Sequence, residues 1–393
     1  MQLSFFCLFF NREIPKPGKI VHSLSTNFMM NNPPDPRKPE TLLYYAFTLA
    51  IKVKFIYNKT MDLNDRKNHW LEFYSGKRRT LVLVDMNYGE HIFPSPDTME
   101  KYFQQALKKS RIQSDCFEWL DDDRVPCISP MMGTDLFAHA FGSPVVYPGD
   151  NNPFARPAVF NSMEAARLKK PELEKSTLME TIEFGLKLQK AAPDVMLQLP
   201  DIQSPLDIAA LVWEKSDFFM ALYDEPDAVK DFIGMISALL TEFLELWFKT
   251  FGKEFIAHYP DYYMPYGITL SEDEIGSISS GQFLEFSIPE LGRLSGYFGG
   301  LIGIHCCANA KHQWALLKNI PGLVMLNLGQ PNEVIREASS YFKDGPCQIY
   351  NPDQNEYTDY GAKVVLRGTA DSRPKALDVL YELRELSEKY HQD

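Results

Sequence analysis

The chain has 393 residues, of which 45% are hydrophobic and 23% are charged, and its formal net charge is −12. This composition is typical of a soluble globular protein and excludes the disordered, collagenous and fibrous classes. An acidic chain without a basic block argues against nucleic-acid binding and against a polybasic membrane anchor, because both need clustered Lys and Arg.

The number of cysteines and the length of the apolar runs indicate in which cellular compartment the protein resides. Six cysteines are too few for a secreted disulfide scaffold, and two of them, Cys306 and Cys307, are adjacent. A membrane helix needs about 20 apolar residues. The apolar runs at residues 3–10 and 42–57 are too short or are broken by lysines. We therefore expect a cytoplasmic protein without a membrane segment.

The first 60 residues differ in character from the rest of the chain. They include the Pro-rich stretch at residues 31–39 and show no amphipathic period. We predict a poorly ordered N-terminal extension, or a misplaced translation start, at residues 1–60. The folded domain is predicted to span residues 61–393.

From Met61 onward, strand-like runs alternate with helical ones. Short apolar runs predict strands at residues 81–84, 125–129, 195–199, 301–307, 323–328, 348–350 and 363–367. The 3.6-residue period predicts helices at residues 98–111, 226–251, 311–318, 333–342 and 374–390. This alternation predicts a parallel α/β architecture, and periodicity alone leaves open whether the sheet is open or closed into a barrel.

Nucleotide-binding and hydrolase motifs are missing from the sequence. The glycines at residues 296–303 precede a predicted strand, so they cannot hold a pyrophosphate at the start of a helix. Neither the P-loop pattern nor the G-x-S-x-G nucleophile motif occurs.

The strongest local signal for chemistry is the run His305-Cys306-Cys307 at the end of a predicted strand. Alternate residues of a strand share a face, so His305 and Cys307 point the same way and Cys306 points oppositely. Imidazole and thiolate groups in this arrangement can bind one zinc ion. Cys347, Glu285 and Asp371 are candidates for a third ligand. The alternative is an ordinary buried histidine with ordinary buried cysteines.

A second candidate group is the acidic run that contains Glu272, Asp273 and Glu274. These residues follow an apolar stretch and could supply a general acid or base. Ser271 with Glu274 also fits the capping box of a helix start, which is the commoner explanation of such spacing.

Five stretches, taken together and in order, resemble the uroporphyrinogen decarboxylase superfamily, and most of all its methyltransferase branch. They are Met132-Gly133-Thr134-Asp135 with residues 140–145, the QSPLDIA run at residues 203–209, the DEPDAV run at residues 224–229, Ser271-Glu272-Asp273 with residues 283–289, and the HCCAN run at residues 305–309. The resemblance implies a (β/α)₈ TIM barrel, uroporphyrinogen decarboxylase-like, with its site at the carboxyl ends of the strands.

The methyltransferase branch implies a function and a set of site residues. Zinc, held by His305, Cys307 and a third ligand, would bind a small thiol, which takes a methyl group from a methylcobamide on a corrinoid protein. The branch has a cysteine near the last strand, where this chain reads Gly368-Thr369-Ala370, and Cys347 is therefore the preferred third ligand.

The prediction also covers three other site residues and the oligomeric state. Asp273 would orient the substrate or handle a proton. Gln203 and Asn327 would contact the substrate in the same cavity. The sequence does not decide the oligomeric state, and a homodimer is one possibility.

Two alternatives remain at this point. True decarboxylases of the superfamily resemble one another in an R-Q-A-G-R-Y stretch, and this chain reads Val84-Asp85-Met86-Asn87-Tyr88-Gly89 in its place. A metal-free decarboxylase would keep the fold and use Asp273 toward pyrrole N–H groups of a tetrapyrrole acid. A barrel without the third ligand could instead be a non-catalytic corrinoid or thiol binder.

Overall fold

The structure is a computed structural model that describes residues 60–130, 133–350 and 361–390, without the side chains of residues 348–350. The extension predicted at residues 1–60 lies outside the described residues except for Thr60. Met132, which belongs to the first stretch of the family resemblance, also lies outside them.

The described residues contain twelve strands, several of only two residues. In chain order, β1 to β12 are Thr80–Met86, Cys127–Ile128, Val145–Val146, Phe154–Ala155, Met196–Leu197, Phe255–Ile256, Tyr263–Met264, Ile268–Ser271, Ile302–Cys306, Leu323–Leu328, Gln348–Tyr350 and Val364–Ala370.

Thirteen α-helices lie in the same part of the chain. In chain order, α1 to α13 are Leu63–Tyr74, Met99–Phe117, Leu136–Ala140, Ser162–Ala165, Leu178–Ala191, Pro205–Val212, Lys215–Asp224, Pro226–Phe251, Ser280–Gln282, Ile288–Tyr297, Trp314–Leu317, Asn332–Tyr341 and Arg373–Lys389. A π-helical turn, Phe283–Ser287, joins α9 to α10, and three 3₁₀ turns occur at Leu173–Lys175, Glu274–Gly276 and Lys311–Gln313.

Parallel pairing links most of the strands. One sheet has the order β11-β12-β1 and another the order β10-β9-β8, and β2 pairs with β5. Single parallel bridges extend this series: Gln198 with Ile256, Gln203 with Ser271, and Met325 with Cys347. The hairpins β3-β4 and β6-β7 are antiparallel. The predicted parallel α/β architecture is therefore confirmed.

This arrangement fits a TIM-barrel-like fold. Neighbouring parallel strands are separated along the chain by helices, as they are in βαβ units. The described strands do not form one continuous closed ladder. Between β1 and the segment before β2, the Asp123 N–H donates to the Val82 carbonyl oxygen, and the Asp123 and Asp122 carboxylates accept from the N–H groups of Val82 and Val84.

Helix α8 is the longest described helix and matches the predicted bounds residue for residue. Pro226 occupies its first turn, where its missing N–H costs nothing, and Gly252 ends it with φ 95°, a conformation open to glycine. Its apolar stripe is buried in the core, where the rings of Phe232 and Phe243 meet Phe141 and Phe137 edge-on. Burial of this stripe, rather than local propensity, stabilises the helix.

The predicted strands and helices are all present, with most bounds shifted by a few residues. The strand predicted at residues 323–328 is β10 without change, whereas residues 311–318 divide into a 3₁₀ turn followed by α11. Eight of the thirteen described helices were not predicted, namely α1, α3 to α7, α9 and α10. Among the described residues, no helix combines the length and the apolar character that crossing a membrane requires.

Candidate metal centre

Three chemically reactive side chains meet beyond the carboxyl ends of β8 and β9. Asp273 follows β8, His305 lies in β9, and Cys307 is the residue after β9. The parallel register places Ser271 beside His305, so the loop after β8 starts at the level of the histidine. One ligand atom from each of the three side chains lies within 4.8 Å of the other two. We call Asp273, His305 and Cys307 the cluster.

Strand β9 presents its residues as the alternation predicts. Ile304 and Cys306 are fully buried, whereas His305 between them is partly exposed. Cys307 is the only cysteine among the described ones that is exposed. The two neighbouring thiols therefore lie on opposite faces of the strand, and only the Cys307 thiol reaches the cluster.

Asp273 and Cys307 are joined by two hydrogen bonds. The backbone N–H of Cys307 donates to Asp273 Oδ1 (2.5 Å), and its thiol donates to Asp273 Oδ2 (3.2 Å). Burial and the hydrogen bond to the carboxylate raise the pKa of the Cys307 thiol to about 12. Without a cation the sulfur therefore keeps its proton at neutral pH.

His305 is oriented by Asn327 from β10. Its Nδ1 lies 2.5 Å from Asn327 Oδ1, and an amide oxygen can only accept, so Nδ1 carries the proton. The other ring nitrogen, Nε2, then keeps its lone pair for a ligand bond. Burial lowers the pKa of His305, which favours this neutral form. The ring of Tyr259 meets the imidazole edge-on, with 4.7 Å between centroids.

The loop after β8 is held from α6. The carboxylate of Asp207 accepts from the backbone N–H groups of Asp273 (2.7 Å) and Glu274 (2.9 Å). Asp273 stands at the N-cap of the 3₁₀ turn and makes no side-chain cap hydrogen bond, so the expected capping box of Ser271 with Glu274 does not form. The cap comes from a distant residue, which leaves the Asp273 carboxylate free to face Cys307.

The donor set of the cluster fits zinc. Zinc in proteins binds cysteine sulfur, histidine nitrogen and carboxylate oxygen, and catalytic sites use three such ligands with a fourth position open. Asp273, His305 and Cys307 supply one donor of each kind.

Cys347, the preferred third ligand in the sequence prediction, is not brought to the cluster. Cys347 forms a bridge with Met325 of β10, whereas His305 pairs with Asn327 of the same strand. Met325 lies two residues before Asn327, which is a separation of about 6.5 Å along the strand. Cys347 is fully buried, and burial raises its pKa to about 12. The donor set therefore contains Asp273 in its place.

The other two candidates for the third ligand also lie elsewhere. Glu285 is paired with Lys230 at 2.6 Å in an exposed salt bridge, and Asp371 is an exposed residue between β12 and α13.

The two residues predicted to contact a substrate are buried beside the cluster. Asn327 is 2% exposed and bonds His305, and Gln203 is 6% exposed and donates to Asp201 Oδ1 at 2.9 Å. Asp201 and His258 were not predicted. Asp201 follows the strand predicted at residues 195–199, but no motif identified it, and His258 follows the two-residue strand β6, which was not predicted.

A second charged group involves β1 and β12, and we call it the ion-pair group. It contains Asp85, Arg124, Asp261 and Arg367. Arg367 bonds Asp85 twice (3.0 and 2.9 Å) and Asp261 once (2.9 Å), and Arg124 bonds the same two carboxylates. Two positive charges therefore neutralise two negative ones.

Comparison with known families decides the membership of the chain. Residues 97–347, more than half of the chain, match the family described as Uroporphyrinogen decarboxylase (URO-D). The chain belongs to the uroporphyrinogen decarboxylase family. This membership confirms the superfamily resemblance that the sequence stretches suggested.

A solved structure supports the same fold. The methyltransferase from Methanosarcina mazei superposes with a TM-score of 0.57 at 11% sequence identity, over 83% of this chain and 99% of that one. At this identity the likeness extends to the fold and not to the chemistry. No curated protein matches the sequence.

Proposed function

We propose that this member of the uroporphyrinogen decarboxylase family is a zinc-dependent methyltransferase that moves a methyl group from a methylcobamide to a small thiol. The cluster is the observation that carries the proposal, because it offers oxygen, nitrogen and sulfur donors at the carboxyl ends of adjacent parallel strands. That is where barrels of this kind place their active sites.

Each residue would have a distinct role. His305 Nε2, Cys307 Sγ and Asp273 Oδ2 would hold the ion, and Asn327 fixes the histidine tautomer. Bound zinc would lower the pKa of a substrate thiol, so that the thiol would release its proton to solvent at neutral pH. The sulfur would take the methyl group, and the electron pair of the carbon–cobalt bond would stay with the corrinoid substrate.

The proposal includes a complete (β/α)₈ barrel and a partner protein. The order of parallel neighbours supports closure of the barrel. A corrinoid protein would deliver the methylcobamide to the open end where the cluster lies. The reaction suits the cytoplasm, where thiols stay reduced.

The charges of the chain favour this function over porphyrinogen decarboxylation. A substrate with many carboxylates needs free cations. The buried Arg124 is already bonded to Asp85 and Asp261, so its charge is not free for such a substrate. The structural likeness to a methyltransferase agrees with the proposal at the level of the fold.

The test is zinc content followed by turnover. We expect about one zinc per chain by mass spectrometry. We also expect methylcobalamin to be demethylated in the presence of a panel of small thiols, which can be followed by its absorbance. The double variant His305→Ala, Cys307→Ala should lose both the zinc and the activity.

The matched control is Cys347→Ala, which removes a buried thiol outside the cluster. We expect this variant to keep its zinc. Zinc-free wild-type protein purified without chelator would reject the proposal, and the decarboxylase and binder alternatives would then be tested with tetrapyrrole acids. Loss of zinc in Cys347→Ala alone would reject Asp273 as the third ligand.

A further inference from the structure

Tyr259 borders the cluster with its ring half exposed. The ring meets the imidazole of His305 edge-on, with 4.7 Å between centroids and 78° between planes, and 49% of the residue is exposed. No other aromatic side chain in the described ranges has a ring contact with His305. Binding pockets for small molecules are lined mainly by aromatic and apolar side chains. A half-exposed ring beside a metal-binding side chain therefore marks a contact for whatever binds there.

The backbone on both sides of Tyr259 is fixed. His258, the residue before it, is 3% exposed, and its Nε2 lies 3.0 Å from Ser271 Oγ of β8. Asp261, two residues after it, is bonded by both arginines of the ion-pair group. A side chain on a segment held in this way loses little further conformational freedom when a ligand packs against it.

Gly329, just after β10, keeps the space beside the cluster open. A Cβ atom at this position would lie 3.0 Å from Cys307 Cβ and 3.8 Å from His305 Cε1. The Nδ1 corner of the same imidazole is occupied by Asn327. A ligand that binds through the cluster therefore has room beside Cys307, and Tyr259 is the bulky side chain that it meets next to the imidazole.

The charges near Tyr259 do not favour an anionic ligand. The cluster contains the carboxylate of Asp273, and within the described ranges no lysine or arginine is bonded to the cluster. Arg124 and Arg367, which hold the segment after Tyr259, each bond two carboxylates already. A ligand carboxylate or sulfonate placed against the ring would lose water without gaining a cation, which costs free energy.

We propose that Tyr259 is a substrate-binding residue and that it selects a thiol with an uncharged hydrocarbon tail, which packs against its ring. The inference rests on the proposed function, because it names the class of thiol that the cluster binds. The ring supplies apolar surface to the tail. The hydroxyl of Tyr259 has no hydrogen-bond partner among the described residues, so it is not required for this role.

The test is a series of thiols of increasing length, bound to the cobalt-loaded protein. Cobalt(II) accepts the same ligands as zinc, and its visible absorbance changes when a thiolate binds, so Kd is measured without turnover. A fully buried CH₂ group strengthens binding by about fourfold, and one that packs against a single side chain by about twofold. Affinity should therefore rise by about eightfold from methanethiol to 1-butanethiol. The anionic 3-mercaptopropionate should bind about tenfold more weakly than 1-butanethiol.

Two substitutions separate the ring from the hydroxyl. Tyr259→Ala should reduce the eightfold range to about twofold or less, because the tail loses its contact surface. Tyr259→Phe should keep the range. The matched control is Tyr223→Ala, which removes an exposed ring from α7 and should bind the series as the wild type does.

A direct readout separates a contact from a structural role. Nuclear Overhauser effects should connect the alkyl protons of 1-butanethiol, bound to the zinc-loaded protein, with the ring protons of Tyr259. These signals are assigned by their absence in Tyr259→Ala. A residue that only supports the fold would show no such contact with the tail.

Equal affinities of wild-type protein for methanethiol and 1-butanethiol, or tighter binding of 3-mercaptopropionate, would overturn the inference even if Tyr259→Ala does not fold. So would a full eightfold range in folded Tyr259→Ala. Lack of metal or of any thiol binding would instead reject the proposed function. The two failures are therefore distinguishable.

Discussion

The cluster and the ion-pair group are both made of polar residues, but they differ in how the charges and donor atoms of those residues are paired. In the ion-pair group, Arg124 and Arg367 each bond two carboxylates, so every charge has its opposite beside it. In the cluster, a carboxylate and a thiol face a neutral imidazole, and no arginine or lysine among the described residues is bonded to them. A balanced group holds the structure together, whereas an unbalanced one has capacity for a cation.

The carboxyl groups of the two regions show the same contrast. Burial favours a raised pKa for Asp261, but the charges of Arg367 and Arg124 outweigh it and lower the pKa to about 2. Asp201 has no such cation, and its pKa rises to about 7. The partner, rather than the depth of burial, decides whether a carboxyl group here is a fixed charge or an exchangeable one.

The largest effect is expected from breaking the balanced group. Arg124→Met should lower the free energy of unfolding by about 3–5 kcal/mol, because Asp85 and Asp261 lose a buried partner. Zinc content of the folded fraction should not change. Urea unfolding, with metal analysis beside it, measures both.

The exposed Arg156 provides the control for this substitution. Arg156→Met should change the free energy of unfolding by less than about 0.5 kcal/mol. If Arg124→Met lost its zinc and kept its stability, the division of the two regions into structural and ligand-binding would be wrong.

A smaller effect is expected when the support of the cluster is removed. Asn327→Ala leaves His305 Nδ1 without its acceptor, so the tautomer is no longer fixed. Zinc affinity, measured by competition with a chelator, should fall by about 10- to 100-fold. Asn327→Asp keeps an accepting oxygen and should recover most of the affinity. Equal losses in the two variants would show that the acceptor is not what matters.

The smallest effect appears only in acid. The pKa of His258 is about 3 in the folded chain, below its ordinary value near 6.5, so between these values the unfolded chain binds a proton that the folded chain does not. This group therefore stabilises the fold above pH 6.5, and that contribution falls by about 1.4 kcal/mol per pH unit below it. Denaturant unfolding across this range should show a loss of stability toward acid that is about 1.4 kcal/mol per pH unit steeper in the wild type than in His258→Gln. Parallel curves would contradict a buried neutral His258.

Local patterns in the sequence predicted the local structure well. The stripe of α8, with Pro226 and Gly252 at its ends, defined the helix to the residue, and the alternation in β9 separated Cys306 from Cys307. In both cases the deciding physics acts between residues a few positions apart.

Long-range register could not be predicted in this way. Cys347 was chosen as a ligand because of its residue type, but its pairing with Met325 fixes its position along the strands, away from the cluster. Ser271 with Glu274 fitted a capping box, but Asp207, 66 residues before Asp273, caps the turn instead. Asp201 and His258 come together only because the segments after β5 and β6 both contact Ser271 of β8.

The backbone bond from Cys307 to Asp273 also sets the denticity of the carboxylate. Oδ1 is occupied by the Cys307 amide, and the Cys307 carbonyl is itself held by Gln330 Nε2 at 2.7 Å. In the proposed zinc site, Asp273 would therefore offer the metal Oδ2 alone. With His305 and Cys307 it would hold the ion and leave room for one exogenous ligand.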